Sequence, residues 1–234
     1  MAITMRPEEL KEIYGVARMA ATTNLLPFID AVALPVGARV RKGNSTEAAV
    51  LEDEGFDFIE ESLSMGSVDE ENVIDKRKFT TPFMCQVEEI TLALKHIHFG
   101  ASIVCVGGTP EVSEIESVAK AVYGIRKDIR RLKKMSEDEL GEFADNCGVP
   151  IDLVIKVRDD GKLPALLYAA GQIVNPADAA LLINLGCDGI CIGQQIIFSD
   201  IPTKRIKAMV QAVKNHTNDE LIADLMYDFE NIGS

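Results

Sequence analysis

Three times in this chain a stretch of helical period runs into a glycine, then into a short apolar run rich in β-branched residues. Gly55 stands before Phe56 to Glu60, Gly100 before Ser102 to Val106, and Gly186 before Gly189 to Gly193. That phrase constrains the fold more than any other feature. A glycine just past a helix supplies a left-handed C-cap. A strand after every helix gives the βαβα order of a parallel sheet covered by helices. Further strands are expected at Leu34 to Val40, Pro82 to Gln86 and Leu163 to Ala169. Between them, Ser45-Thr46-Glu47 opens a helix over Ala48 to Glu54, and Val87-Glu88-Glu89 leads into one over Ile90 to Phe99. Asn175 and Pro176 supply an N-cap and a first helical residue for a helix reaching Leu185. A long charged helix is expected over Val112 to Met135. Another is expected over Glu137 to Asp145, where Ser136 and Glu139 have capping-box spacing. Periodicity alone leaves two closures of such a sheet open, a (β/α) barrel and an open doubly wound sheet.

With 234 residues, 47% of them hydrophobic, the chain can bury one sizeable core, and a single domain over residues 1–234 is expected. A formal charge of −13 argues against a nucleic-acid partner, because that affinity comes largely from Lys and Arg displacing counterions. The one basic block, Arg126-Lys127 to Lys134, reads first as a solvated helix face and second as an anion site. Five cysteines (Cys85, Cys105, Cys147, Cys187, Cys191) sit among apolar neighbours without a secretory leader, so free thiols in a reducing cytoplasm are expected. The Cys187/Cys191 spacing has no nearby His pair to complete a metal site, and no metal or cofactor is expected. No apolar run reaches the roughly 20 residues that span a bilayer, so no membrane partner is expected. His96 and His98, beside Lys95 and Phe99, read as surface or packing residues.

Several phrases carry a resemblance: Gly15-Val16-Ala17-Arg18-Met19, Leu34-Pro35-Val36, Met135-Ser136-Glu137-Asp138-Glu139-Leu140, Lys162-Leu163-Pro164, and Asn175-Pro176-Ala177-Asp178-Ala179-Ala180-Leu181 running on to Gly186-Cys187-Asp188-Gly189. Together they resemble the PdxS/SNZ family, the synthase (lyase) subunit of glutamine-dependent pyridoxal 5′-phosphate synthase. The resemblance implies an α/β fold of the TIM-type (β/α)₈ class, assembled into rings, with its sites at the C-terminal ends of the strands. It also implies ribose 5-phosphate held as a Schiff base on a lysine of the third strand and passed to a second lysine after the sixth. Ammonia would come from a glutaminase partner, and glyceraldehyde 3-phosphate would join later.

Imine formation needs an amine that can lose its proton, and burial lowers a lysine's pKa enough to provide one. The first lysine position is Arg39, which stays protonated, and the second is Gly107, which has no side chain. Lys42, three residues beyond Arg39, is expected in a solvated loop and is a poor substitute. The phosphate loops differ as well. Paired glycines after the seventh strand read Gly171-Gln172, and a glycine-serine-glycine after the eighth reads Gly193-Gln194-Gln195. The sixth loop, Thr109 to Glu114, places Glu111 where an anion would bind, and an arginine of the following helix falls at Tyr123. Glu60-Glu61-Ser62 persist from an acidic cluster whose next carboxylate is Leu63. Arg18 and Arg41 persist as possible site-lining residues, with a surface ion pair the equal alternative for Arg41.

Met1-Ala2-Ile3 matches the end of the family's second strand. The expectation is therefore a barrel lacking the first strand and helix and most of the second strand, without the first-strand carboxylate. The family's glutaminase-docking extension would be missing too, which weakens the case for that partner. The reading that follows is a pseudoenzyme of vitamin B6 biosynthesis that assembles with an intact paralogue, or with itself, and modulates it. The alternatives are a working synthase, a carbon–nitrogen lyase, and a degenerate fragment without function.

Overall fold

The computed structural model describes residues 3–5, 35–67, 73–107 and 114–231. Seven parallel strands form one sheet: β1 Ile3–Met5, β2 Val36–Lys42, β3 Phe58–Ser67, β4 Phe83–Val87, β5 Ile103–Val106, β6 Leu166–Ala170 and β7 Gly189–Cys191. Each strand pairs with its successor in sequence, from Ile3 opposite Val36 to Ala170 opposite Cys191. A doubly wound sheet must reverse its direction of growth partway, and this one never does. The strand order therefore excludes the doubly wound alternative and gives the α/β barrel fold.

The helices described are α1 Ser45–Asp53, α2 Ile90–His98, α3 Ile115–Leu132, α4 Glu137–Cys147, α5 Ile151–Asp160, α6 Pro176–Asn184, the single turn α7 Gln194–Ile197, α8 Pro202–Lys214 and α9 Asp219–Asn231. Their caps follow the sequence grammar. Ser136 and Glu139 close a reciprocal capping box, and Asn175 accepts from the Asp178 N–H with Pro176 in the first turn. Helix α1 starts at Ser45, three residues before the expected Ala48, because Asn44 is the side chain that accepts from Glu47 N–H. Gly55, Gly100 and Gly186 all take positive φ, as the repeated phrase requires.

Two strands differ from the apolar runs that mark them. Strand β2 ends at Lys42 and β3 reaches Ser67, beyond Val40 and Glu60, because the backbone pairing of the two strands continues through Arg41 opposite Ser62 and Lys42 opposite Ser67. Strand β6 starts at Leu166 because Pro164 has no N–H to donate to a ladder. Helices α5, α8 and α9 carry weaker sequence signals: a Gly161 C-cap, a Pro202 start, and only Asp219-Glu220 in the first turn.

Alternation along the strands sorts the side chains into two layers. Ile59, Cys85, Val104 and Leu167 face outward and pack with the helices. Phe58, Met84, Cys105 and Ala170 form a smaller inner cluster with Tyr168 and Cys191. Gly37 belongs to the inner face, where a Cβ would sit 2.1 Å from the Phe58 ring.

Candidate active site inside the sheet

The inner face turns polar towards the C-terminal ends of β2 to β4. Arg39 and Glu60 are register partners on neighbouring strands, both almost fully buried. The Arg39 Nε donates to Glu60 Oε2 at 2.8 Å, and Gln86 Nε2 donates to Glu60 Oε1 at 2.9 Å. Both oxygens of one carboxylate are thus engaged by two side chains from the strands on either side. A guanidinium holds its proton at any physiological pH, so Arg39 here is a fixed cation and hydrogen-bond donor without nucleophilic character.

Gly107 lies just past the end of β5 with φ +96°, and a Cβ there would lie 2.0 Å from the Ala170 carbonyl oxygen. No side chain of any kind fits at this position unless the β6 backbone moves. Gly171 follows β6 directly and is buried, with its carbonyl accepting from Ile173 N–H at 2.7 Å, and Gln172 beside it is half-buried. Gly193 follows β7, and its carbonyl accepts from Ile196 and Ile197 N–H at the start of α7. Gln194 opens that helix, and its side chain lies outside the described residues. Gly107, Gly171 and Gly193 are therefore brought together at one end of three adjacent strands. Arg18 and Glu111 lie outside the described residues.

The structure places three further residues away from the inner face. Glu61, read as site-lining, points the opposite way from Glu60, because successive residues of a strand face opposite sides. It accepts from Gly43 N–H at 3.0 Å and Ile74 N–H at 3.4 Å and pairs with the fully buried Lys76. Arg41 is half exposed, with its Nε 3.7 Å from Glu47 Oε1, so the ion-pair alternative describes its contact. Lys42 is the last residue of β2 and half-buried, with its charge acting on His96 outside the sheet.

His96 itself is a packing residue, fully buried in α2. Burial first, and the neighbouring Lys76 charge second, push its pKa down to about 3, so the ring is neutral. Glu61, Cys85 and His96 place donor atoms within 4.8 Å of one another, a donor set suited to a zinc-like ion. Lys76 already supplies the positive charge beside Glu61, and its Nζ also donates to the Ile74 carbonyl at 2.9 Å. A metal would have to displace that buried ammonium, so the residues present fit an internal ion pair better than a cation site. Reading the sequence missed Lys76 and Gln86. The available signal was the in/out parity of Glu60-Glu61, which requires a partner on each face.

The cysteines are free thiols. Cys105 and Cys191 approach to 4.0 Å between sulfurs on the inner face, and burial raises Cys187 to about 12. No helix among the described residues is long and apolar enough to cross a membrane.

The sequence pattern of the SOR/SNZ family matches residues 1–170. The chain is 39% identical over 225 residues to pyridoxal 5′-phosphate synthase subunit PdxS of Niallia circulans, covering 96% of this chain and 77% of that one. It is 42% identical over 228 residues to the PdxS subunit of Chloroflexus aggregans, covering 96% and 77%. Among solved structures, thiamine phosphate pyrophosphorylase from Pyrococcus furiosus superposes with a TM-score of 0.54 at 15% identity, over 92% of this chain and 83% of that one. An IMP dehydrogenase/GMP reductase-like protein from Corynebacterium glutamicum gives 0.50 at 18% identity, over 80% and 47%. These two likenesses bear on the fold alone.

Proposed function

The chain belongs to the SOR/SNZ family, and from that membership we propose that it is a non-catalytic PdxS-like subunit that assembles with intact synthase subunits and modulates them. One observation carries the reading: the Arg39 guanidinium is locked on Glu60 at 2.8 Å where the family chemistry calls for a nucleophilic lysine. The Gly107 geometry adds to it, because the second lysine position has no room for a side chain. In this reading Gly171, Gln172, Gly193, Gln194 and Glu111 line a vestigial phosphate site. Strands β1 to β7 take the second to eighth places of an eight-stranded barrel.

The partner in this reading is supported by the general needs of a parallel sheet. Parallel strands need cover on both faces and leave unpaired N–H and C=O groups at an open edge. A subunit of the same architecture would provide complementary cover, and mixed rings would result. Co-expression with an intact PdxS-type subunit, followed by size-exclusion chromatography with light scattering, is expected to give a mixed oligomer. In parallel, borohydride treatment of the isolated chain with ribose 5-phosphate is expected to leave its intact mass unchanged. A monomer that ignores the intact subunit would remove the modulator reading. A stoichiometric sugar adduct on Lys42 would restore the alternative of a working synthase.

A further inference from the structure

The basic block on α3 has no role in the site above. In a chain of net charge −13, Arg126 of that block and Lys162 both line a cleft of about 560 Å³. The cleft lies at the N-terminal ends of β5, β6 and β7, where Ser102, Leu166 and Asp188 precede or open those strands. Gly107, Gly171 and Gly193 lie at the other end of the same strands, so the two places are separated by the depth of the sheet.

The cleft is built around the guanidinium. A Cβ on Gly186 would come within 3.0 Å of Arg126 Nε and 3.1 Å of its Cζ, so the absence of a side chain there is what admits Arg126. Among the described residues no hydrogen bond or ion pair engages the side chain of Arg126 or Lys162. Among the described residues Asp188 is the one carboxylate in the lining, and its Oδ2 accepts from Leu167 N–H at 2.8 Å. Two unengaged cations therefore face one engaged carboxylate, which reverses the sign of the chain average. Leu166, 46% exposed, supplies an apolar wall. Oppositely charged groups of a ligand would gain charge-assisted hydrogen bonds from Arg126 and Lys162, and an apolar body would cover the wall.

We propose that this cleft binds a small organic anion, a phosphate or carboxylate head on an apolar body. The test titrates the full chain with phenyl phosphate, benzoate and inorganic phosphate, read by calorimetry or amide chemical shifts. At least one of the two aromatic anions is expected to saturate more tightly than inorganic phosphate, and comparing them identifies the head. Arg126→Gln and Lys162→Gln are each expected to weaken binding roughly ten-fold or more at unchanged melting temperature. Arg130→Gln, an exposed residue of the same helix that lies over the Tyr123 ring, is expected to leave binding intact. Three outcomes would overturn the proposal: no saturable binding, an equal loss in Arg130→Gln, or tighter binding of an acidic peptide than of every small anion.

Discussion

Glu60 and Glu61 are neighbours in one strand, both 2% exposed, and they do different work. Glu60 points into the sheet and joins three strands by binding Arg39 and Gln86. Glu61 points out and joins three segments, holding Lys76 by charge and Gly43 and Ile74 by their backbone N–H groups. The inner carboxylate ties neighbouring strands together, and the outer one fixes the loops beside them. The difference shows how one strand serves two separate contact networks, since they sit on opposite faces of one backbone.

The comparison breaks most readily at Glu61. Glu61→Gln leaves the Lys76 ammonium buried without a counter-charge, and weakens the acceptor for two loops. Stranding one partner of a buried ion pair costs about 3–5 kcal/mol. The same substitution at Glu60 strands Arg39 without releasing a loop and is expected to cost less, roughly 2 kcal/mol. Denaturant midpoints of the two variants measure this directly, and equal losses would remove the distinction between the two faces.

The outer cluster also carries a pH signature. Burial, which penalises its charged form, pushes His96 down to about 3 in the folded chain, against about 6.5 for a free imidazole. Between those values the unfolded chain holds the proton and the folded chain does not, so stability rises with pH across that window. The contribution is fully present above about pH 6.5 and is lost as pH falls towards 3, on the order of 4 kcal/mol in all. His96→Leu keeps the site apolar and removes the titration, so its stability profile is expected to be flatter from pH 6.5 down to 4. An unchanged profile would place the acid sensitivity in the carboxylates instead.

Much of the sheet could be read from the sequence because glycine caps and β-branched runs act locally. The capping box at Ser136 and the N-cap at Asn175 needed no tertiary information. Helix α5 was harder, since Pro150 and Gly161 punctuate it without a capping side chain at its start. At the site, arginine at 39 and glycine at 107 were legible, but the reason no side chain fits at 107 was not. That reason is long-range: Ala170 lies 63 positions from Gly107 in sequence and 2.0 Å from where its Cβ would be. The sequence left His96 between a surface and a packing role because its contacts, Glu61 and Lys76, come from outside its own helix.

The smallest expected effect is the most informative about function. Arg39→Lys keeps a buried cation against Glu60 and loses only the planar fork, so the stability change is expected at about 1 kcal/mol. It also returns an amine to the inner face, where Glu60 stands ready to hold it protonated. Catalysis is still not expected, because the second position cannot be repaired in the same way: a lysine at Gly107 would drive its Cβ into the Ala170 carbonyl and would need φ +96°, a conformation L side chains rarely adopt. In the proposed reading Gln172 also stands where a second glycine would let backbone N–H groups approach a phosphate, and Gln195 takes the like place after β7. The measurement is formation of pyridoxal 5′-phosphate from ribose 5-phosphate, glyceraldehyde 3-phosphate and ammonia by Arg39→Lys, alongside its unfolding midpoint. A folded variant that turns over would show that the inner face needs only its nucleophile, and would overturn the reading of this chain as a subunit that has exchanged chemistry for a fixed ion pair.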